Sequence, residues 1–371
     1  MKAVFLIDNL KFSGGRKSFL EFAVDLQKKG HEVELLTLSQ KGDLCGIFPS
    51  RQISEFNAGT IPDCDFIVTT TPAEAKAAFE SKKGETIHLC QGFEIEDLQS
   101  RMEDKVLPLR YRGSGLYHKL QVMMKKRQWK SKIAQLDKIY SLGTILVVIS
   151  KHLKKVLEKR YSKQVYFCGY GVKKEFFYYD KAWSPRRFTR ELPCRIISVG
   201  PVGVTFKGIP DTLDAISKLK DKKLPIHFIR VSPDEKKDED LGSSIIDEYH
   251  SRLSQEELGE LMRNCDIYIS NSLEGEGFGL PAMEAMSCGL LCVLSSISSY
   301  LNFSDSRDYA IFVPERNPGK TAEAVEKILS MPPEEMVSLR SRSLEVAEEF
   351  SLQKALDKLE GILLEKLGRS P

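Results

Sequence analysis

The feature that most constrains the fold is a segment between residues 266 and 289 in which an apolar run, a glycine-rich turn and a helix-like stretch follow one another. Residues 266–270 predict a buried strand. Pro281 suits the first position of a helix, because its missing N–H would have no partner there. Gly289 suits the left-handed residue that ends a helix. The segment therefore predicts a strand that leads through a turn into a short helix.

The turn offers backbone N–H groups to a ligand. The amides of Phe278, Gly279 and Leu280 lie at the predicted helix N-terminus, where the helix dipole favours an anion such as a diphosphate. Glycines, including Gly277, let a ligand approach the backbone closely. The turn is therefore a candidate phosphate site.

Two glutamates flank this turn, Glu276 in the loop and Glu284 in the first turn of the predicted helix. Carboxylates would repel a diphosphate, but they accept hydrogen bonds from hydroxyl groups. We therefore expect Glu284 near a ribose and Glu276 near a transferred sugar. The alternative is that Glu284 only suits the helix dipole and that Glu276 is a solvated loop residue.

Glu276 and Glu284, with Gly-Phe-Gly-Leu-Pro between them, resemble the E-x7-E signature of the GT4 family of retaining glycosyltransferases, which have the GT-B fold. The resemblance implies that Glu276 contacts the donor hexose near its anomeric carbon, that Glu284 binds the ribose, and that residues 277–280 hold the diphosphate. It also implies an α/β protein of two Rossmann-like, doubly wound parallel-sheet domains that face a central cleft. The donor would be a nucleotide-sugar such as a UDP- or GDP-sugar, with no separate cofactor.

A second set of residues resembles the cationic part of the family's donor site. Lys207, followed by Gly208, matches the family lysine that neutralises the diphosphate, and a cation there would stabilise the leaving group. Pro201 stands where the family has an arginine. Either Arg230, at the end of the next strand, replaces that arginine, or diphosphate binding is weakened. A surface salt bridge is the alternative role for Arg230.

The first part of the chain carries candidate residues at two strand ends. Gly14 and Gly15 follow the first strand, where the family commonly has a glycine pair lining the cleft opposite the donor, although an ordinary turn would also explain them. Gln91 and Glu94 follow a later strand and are expected on the acceptor side, by resemblance to a glutamine-aromatic-glutamate pattern. His88, inside that strand, is expected to be a core histidine.

A chain of 371 residues exceeds one comfortable core and predicts two domains of roughly 150 to 200 residues. We predict an acceptor-side domain over 1–180, a linker over 181–193 and a donor domain over 194–350. Residues 351–371 would form a helix that, by resemblance, returns to the first domain. The apolar runs predict strands at 3–7, 32–37, 66–69, 86–89, 146–149, 165–167, 195–199, 226–231, 266–270 and 291–295.

Charge and cysteine content narrow the class of protein. A formal net charge of +3 gives no general electrostatic basis for nucleic-acid binding. The eight cysteines lack metal-ligand spacing and are typical of a reduced cytoplasmic protein. The N-terminal residues predict a strand rather than a signal peptide, and no apolar run could span a bilayer.

Asp63 and Asp65 form a D-x-D triplet at the amino end of a strand, where a metal site is not expected.

The segment His118–Lys132 is basic and contains no acidic residue. Apolar residues interleave with its lysines, so it could be an amphipathic helix at the inner face of an anionic membrane. A solvated basic face is the alternative.

These observations predict a hexosyltransferase-like, retaining, metal-independent enzyme that acts in cell-surface polysaccharide or glycolipid synthesis. Retention could proceed through a carboxylate nucleophile or by front-face attack, and the family is associated with the front-face route. A non-catalytic nucleotide-sugar-binding subunit is the alternative. A dehydrogenase is disfavoured, because Leu280 occupies the place of the third glycine of a dinucleotide fingerprint.

Overall fold

The fold is that of a computed structural model, which describes residues 1–11, 13–102, 116–180, 184–235 and 245–368. The chain divides into two compact units. The first unit comprises Met1–Gly169 and Lys354–Pro371, and the second comprises Tyr170–Gln353. Each unit alternates β-strands with α-helices around one parallel sheet, so the predicted α/β class is confirmed.

The first unit is built on seven parallel strands in the order β3-β2-β1-β4-β5-β6-β7. The order changes direction between β1 and β4, which creates a switch point. Its elements are β1 (Lys2–Ile7), α1 (Gly14–Lys28), β2 (Glu32–Thr37), β3 (Ser50–Gln52), β4 (Phe66–Thr69), α2 (Pro72–Ser81), β5 (Glu85–Cys90), α3 (Glu94–Met102), α4 (Leu116–Tyr140), β6 (Ile145–Val148), α5 (Lys151–Tyr161) and β7 (Val165–Phe167).

The second unit has six parallel strands in the order β10-β9-β8-β11-β12-β13, with a switch point between β8 and β11. Its elements are β8 (Cys194–Val199), α6 (Ile209–Asp221), β9 (Ile226–Ser232), β10 (Glu248–Ser251), α7 (Gln255–Arg263), β11 (Ile267–Ser270), α8 (Leu280–Ser287), β12 (Leu291–Ser295), α9 (Ser298–Leu301), β13 (Ile311–Val313), α10 (Pro318–Leu329) and α11 (Pro333–Glu348). A short 3-10 helix, Thr205–Lys207, precedes α6.

Local sequence explains where the helices near the strand ends begin. Ser13 caps α1, its side chain accepting a hydrogen bond from the amide of Arg16 at 3.2 Å. Thr71 and Glu74 form a reciprocal capping box at the start of α2. Such caps satisfy N–H groups that a helix leaves without partners. The helices therefore start at fixed positions beside the carboxyl ends of β1 and β4.

The final helix, α12 (Leu352–Lys366), starts in the second unit and continues in the first. Lys29 at the end of α1 pairs with Asp357 at 2.7 Å and with Glu360 at 2.8 Å. His31 contacts Glu360 at 2.7 Å. These contacts fasten the end of the described chain to the first unit.

The change from one unit to the other occurs between Gly169 and Tyr170, earlier than the linker proposed at 181–193. Residues 181–183 lie outside the described part of the chain. The segment before them packs into the second unit: Phe177 is fully buried, and the carbonyl of Phe176 accepts a bond from Arg263 at 2.7 Å. Aromatic packing, rather than the composition of the following segment, therefore sets the division.

The predicted strands are all present, with bounds that differ by at most one residue at either end. Three further strands, β3, β10 and β13, were not predicted. Each is short and lies at the edge of its sheet. Edge strands are often short and less apolar, so the hydrophobic pattern that indicates a central strand is weak in them.

Candidate active site

A loop in the second unit forms the centre of the candidate site. It joins Ser270, at the end of β11, to Leu280, at the start of α8, and follows the switch point between β8 and β11. Ligands of open parallel sheets bind beyond the carboxyl ends of strands at such points. The amide of Leu273 donates to the carbonyl of Phe206 at 2.7 Å. The Asn271 side chain is also hydrogen-bonded, to Thr212 at 3.1 Å and Thr321 at 2.8 Å.

The start of α8 has the backbone geometry predicted for an anion site. Gly279 has a φ of +83°, and a Cβ placed there would lie 2.1 Å from Cε1 of Tyr300, so only glycine fits. Leu280 is the first helical residue and Pro281 the second, and no side chain caps the helix. The amides of Ala282 and Met283 donate to the carbonyl of Gly279 at 2.9 and 3.3 Å, so the N–H groups left for a ligand at the helix start are those of residues 278–280.

Glu276 and Lys207 meet beside this turn. Lys207 Nζ lies 2.7 Å from Glu276 Oε2, and both side chains are largely buried. Gly208 holds the lysine in place: its φ is +59°, and a Cβ there would lie 1.8 Å from the carbonyl oxygen of Asn271. The backbone of Gly200 lies against the aliphatic stem of Lys207. The structure thus brings together the two residues predicted to act in catalysis.

Glu284 lies in the second turn of α8, not the first as the sequence suggested, because the helix begins at Leu280. Its side chain is buried. Gly289 follows the helix with a φ of +78°, in agreement with the predicted left-handed cap. The role of Glu284 at a ribose stays a prediction.

Three buried hydroxyl groups lie beneath Glu276, and the sequence did not single them out. Tyr300 Oη lies 2.7 Å from Ser270 Oγ and 3.1 Å from Ser272 Oγ. Ser272 Oγ donates to Glu276 Oε2 at 3.4 Å. The sequence signal that could have indicated these groups is the pair of serines at the end of β11 and just beyond it, Ser270 and Ser272. Polar groups at the carboxyl end of a parallel strand lie where ligands bind.

Arg230 differs from the expectation. Its side chain is fully buried, and its guanidinium donates to backbone carbonyls at the ends of β8 and β9, those of Ser198, Gly200 and Val231. The guanidinium therefore lies beneath the strand ends rather than on a surface that a diphosphate could contact. The surface salt bridge considered as the alternative is equally inconsistent with this burial. Arg230 instead supports Gly200, on which the stem of Lys207 rests.

In the first unit, the structure brings Gly15 and Gln91 together. Gln91 Nε2 donates to the carbonyl of Gly15 at 2.9 Å, and a Cβ on Gly15 would lie 2.2 Å from Gln91 Oε1. Gly14 is the first residue of α1, and a Cβ there would meet no atom within 4 Å. One amide side chain thus links the start of α1 to the end of β5.

Glu94 begins α3 next to this contact. It accepts a hydrogen bond from the Tyr140 hydroxyl at 2.6 Å, and burial raises the pKa of its carboxyl group. His88 stacks on Tyr140, with ring centroids 5.1 Å apart. Burial lowers the pKa of His88 to about 4, so the imidazole is neutral at pH 7, as expected for a core histidine.

The basic segment His118–Lys132 lies within α4, where the described side chains begin at Gln121 and exclude Val122. Met123 and Met124 are 62% and 64% exposed. Arg127 and Lys130 are exposed as well. Among the helices described, none is both long and apolar enough to cross a bilayer.

Asp63 and Asp65 flank Cys64 at the amino end of β4, as predicted, and each has a protein partner. Asp65 Oδ2 accepts a bond from the amide of Lys2 at 2.7 Å, and Asp63 pairs with Lys83 at 3.1 Å. Both carboxylates therefore have local structural roles.

A family comparison covers the region that carries this site. Residues 188–345 match the model of the family described as "Glycosyl transferases group 1". The matched region contains Lys207, Arg230 and the whole of residues 276–284. The family resemblance inferred from the two glutamates is thereby confirmed.

Curated relatives match a part of the chain. A curated relative from Komagataeibacter xylinus, "GDP-mannose:cellobiosyl-diphosphopolyprenol alpha-mannosyltransferase", is 30% identical over 117 residues. This match spans 32% of the present chain and only 30% of that relative.

Solved structures share the fold over nearly the whole chain. A glycosyltransferase from Rickettsia africae has a TM-score of 0.72 at 17% identity, with 100% of this chain and 99% of that chain covered. Anabaena Alr3699/HepE, solved in complex with UDP-glucose, has a TM-score of 0.71 at 12% identity, with 99% of each chain covered. The GT-B fold is therefore confirmed.

Proposed function

We propose that this chain transfers a hexose from a nucleoside diphosphate hexose to an acceptor hydroxyl with retention of configuration. The premise is that residues 188–345 match the family model of the group 1 glycosyl transferases. The observation that carries the proposal is the Lys207–Glu276 pair beside the uncapped start of α8. A cation, a carboxylate and unpaired N–H groups are the three things that the diphosphate and hexose of such a donor require.

The roles follow from the chemistry of each group. The amides of 278–280 bind the diphosphate, and Glu284 binds the ribose hydroxyls. The lysine ammonium has three N–H donors, so Lys207 can keep its bond to Glu276 while it donates to a phosphate oxygen. When the glycosyl bond breaks, Lys207 stabilises the charge that develops on the leaving phosphate.

We propose the front-face route, in which the departing phosphate helps to remove the acceptor proton. Glu276 then orients the hexose and supports the positive charge that develops at its anomeric carbon. The pairing of Glu276 with Lys207 supports this assignment, because a carboxylate held by a cation is a weaker nucleophile than an unpaired one. Gln91 and Glu94 of the first unit are the proposed acceptor contacts.

The test of the proposed function is a donor panel. Purified protein is titrated with UDP and GDP, then incubated with UDP-glucose or GDP-mannose and a diphosphopolyprenol-linked saccharide, the acceptor type in the name of the Komagataeibacter relative. We expect one nucleotide to bind and its hexose to be transferred, with the anomeric configuration of the product retained by NMR. Transfer with inversion would refute retention, and failure to bind either nucleotide would refute the function.

A non-catalytic nucleotide-sugar-binding subunit is the second candidate. Pro201 in place of the family arginine, together with the burial of Arg230, favours it, because both reduce the positive charge available to a diphosphate. Such a subunit would bind the nucleotide and release no product over the same incubation.

We also propose that transfer needs no metal ion and no further cofactor, because Lys207 and the helix amides supply the positive charge that a divalent cation provides elsewhere. Transfer rates measured with and without EDTA should agree. A loss of activity that Mg²⁺ or Mn²⁺ restores would contradict this.

Finally, we propose a cytoplasmic protein that binds the inner face of the membrane through α4. All eight cysteines are free thiols, and Met123 and Met124 accompany exposed cations. Each lysine or arginine near an anionic bilayer contributes about 1 kcal/mol. Changing Arg127, Lys130 and Lys132 to Gln should therefore weaken binding to phosphatidylglycerol vesicles about a hundredfold.

The control for this test changes three exposed lysines of the second unit, Lys218, Lys320 and Lys327, to Gln. It should bind vesicles as the unmodified protein does. If both triple variants behave alike, the basic segment is only a solvated face.

A further inference from the structure

The three hydroxyl groups beneath Glu276 contact one another, and Ser270 Oγ also lies 3.0 Å from Ser272 Oγ. Tyr300 donates to Ser272, and Ser272 donates to Glu276. Ser270 can donate its one hydroxyl proton either to Tyr300, at 2.7 Å, or to Ser272, at 3.0 Å. The three hydroxyls thus form a hydrogen-bonded chain that reaches the carboxylate through Ser272.

The ring of Tyr300 has a separate contact. Its Cε1 atom lies 2.1 Å from the position that a Cβ of Gly279 would take, so the ring packs directly against the turn that begins α8. The hydroxyl of the same side chain reaches Ser272, which precedes the turn. Tyr300 is almost completely buried, and burial raises its pKa, so the phenol keeps its proton at neutral pH.

We propose that Tyr300 is a positioning residue that joins the two halves of the donor site: its ring sets the diphosphate-binding turn, and its hydroxyl, through Ser272, orients the carboxylate of Glu276 toward the hexose. The proposal rests on the function proposed above and names a residue that acts on substrate only through others.

Hydrogen bonds to a carboxylate stabilise its charged form, and bonds in a chain strengthen one another. Removal of the Tyr300 hydroxyl would leave Ser272 with one hydroxyl neighbour in this chain, Ser270, in place of two, and Glu276 with a less firmly held donor. Lys207 would still bind Glu276 Oε2, so the carboxylate would remain near the site but less precisely held. The affinity for the hexose should therefore fall while that for the diphosphate stays.

The test compares Tyr300→Phe with a matched control, Tyr309→Phe. The Tyr309 hydroxyl is also buried, and it donates to the backbone carbonyl of Tyr300 at 2.5 Å, outside the hydroxyl chain. Each variant is titrated by calorimetry with UDP, UDP-glucose, GDP and GDP-mannose. Transfer rates are measured from pH 5 to pH 9 with the donor that binds, and thermal unfolding is recorded.

For Tyr300→Phe we expect unchanged nucleotide affinity, several-fold weaker binding of the hexose-bearing donor, and a roughly tenfold lower kcat. The acidic limb of its kcat profile should move to higher pH. Tyr309→Phe should keep the donor-to-nucleotide affinity ratio and the pH profile, even where its unfolding temperature falls.

Two results would overturn the inference: an unchanged affinity ratio and pH profile in Tyr300→Phe, or the same changes in both variants. Failure of the proposed function looks different, because the unmodified protein would then bind neither nucleotide, or would bind one and transfer no hexose. If the unmodified protein binds a nucleotide but transfers no hexose, the ratio of donor affinity to nucleotide affinity in Tyr300→Phe still tests the inference.

Discussion

The carboxyl ends of the two sheets hold their acidic side chains in different ways. In the second unit, Glu276 is paired with the ammonium of Lys207. In the first unit, Glu94 lies against the phenol of Tyr140, and burial raises its pKa. The same type of parallel sheet thus presents an ion pair in one unit and an acid held by an uncharged donor in the other.

Under the proposed function, this difference corresponds to separate roles for the two units. A site that receives a diphosphate and develops charge during reaction needs a cation and fixed N–H groups, as at Lys207 and α8. A site that receives a neutral hydroxyl needs only polar groups of moderate strength, such as the Gln91 amide. We therefore expect changes in the second unit to affect chemistry and changes in the first unit to affect acceptor binding.

The largest effect is expected for Glu276→Gln, which keeps the shape of the side chain and removes its charge. The kcat of transfer should fall about a thousandfold, because the charge that develops at the hexose loses its support. Nucleotide affinity by calorimetry should be unchanged. Glu274→Gln is the control: Glu274 accepts two 2.9 Å bonds from Ser298 and should tolerate the change within a few-fold. Equal rates for the two variants would contradict the assignment.

The next largest effect concerns the stability of the first unit and its dependence on pH. His88 in the first unit has a pKa lowered to about 4, so the folded state binds fewer protons than the unfolded state below pH 6.5. Its contribution to stability is therefore present above that pH and is lost as the pH falls toward 4, by about 3 kcal/mol.

In His88→Gln this part of the pH dependence should disappear when unfolding by urea is measured at pH 7 and pH 4. His227→Gln changes a half-buried histidine of the second unit and serves as the control. If His88→Gln and the unmodified protein lose the same stability on acidification, the histidine is not buried in its neutral form.

Lys207→Met keeps most of the aliphatic stem and removes the ammonium. We expect kcat to fall about a hundredfold, with weaker nucleotide binding, because the leaving phosphate loses its cation. Lys218→Met, on the exposed side of α6, is the control and should leave the rate unchanged. A wild-type rate for Lys207→Met would mean that another group stabilises the leaving phosphate.

The smallest effect is expected for Glu94→Gln, because the amide still accepts the bond from Tyr140. The KM for acceptor should rise a few-fold while nucleotide affinity and the kcat at saturating acceptor stay the same. The control is Glu96→Gln: Glu96 lies in the same helix as Glu94, and its carboxylate contacts His152 of α5 at 3.2 Å. An altered nucleotide affinity in Glu94→Gln would place this acid at the donor instead.

The sequence predicted what depends on local pattern. Continuous apolar runs located the central strands, and the spacing of Glu276, Gly279 and Pro281 located the turn that begins α8. It did not predict edge strands such as β10, in which three of the four residues are polar.

The sequence also could not predict contacts between distant residues. Arg230 looked like a cation at a strand end, but three-dimensional packing turns its guanidinium inward onto carbonyls of two strands. Tyr300 is 24 residues beyond Glu276, and nothing in its local pattern indicates that its hydroxyl reaches Ser272. Such contacts depend on how β11, β12 and α9 are arranged in space.

The most direct test of the account is calorimetric titration of UDP and GDP into the unmodified protein, Glu284→Gln and Glu94→Gln. The account predicts that one nucleotide binds the unmodified protein and Glu94→Gln with equal affinity, and binds Glu284→Gln at least tenfold more weakly, because a carboxylate that accepts ribose hydroxyls is lost only there. Equal affinity in Glu284→Gln, or a loss confined to Glu94→Gln, would contradict the placement of the donor at the start of α8.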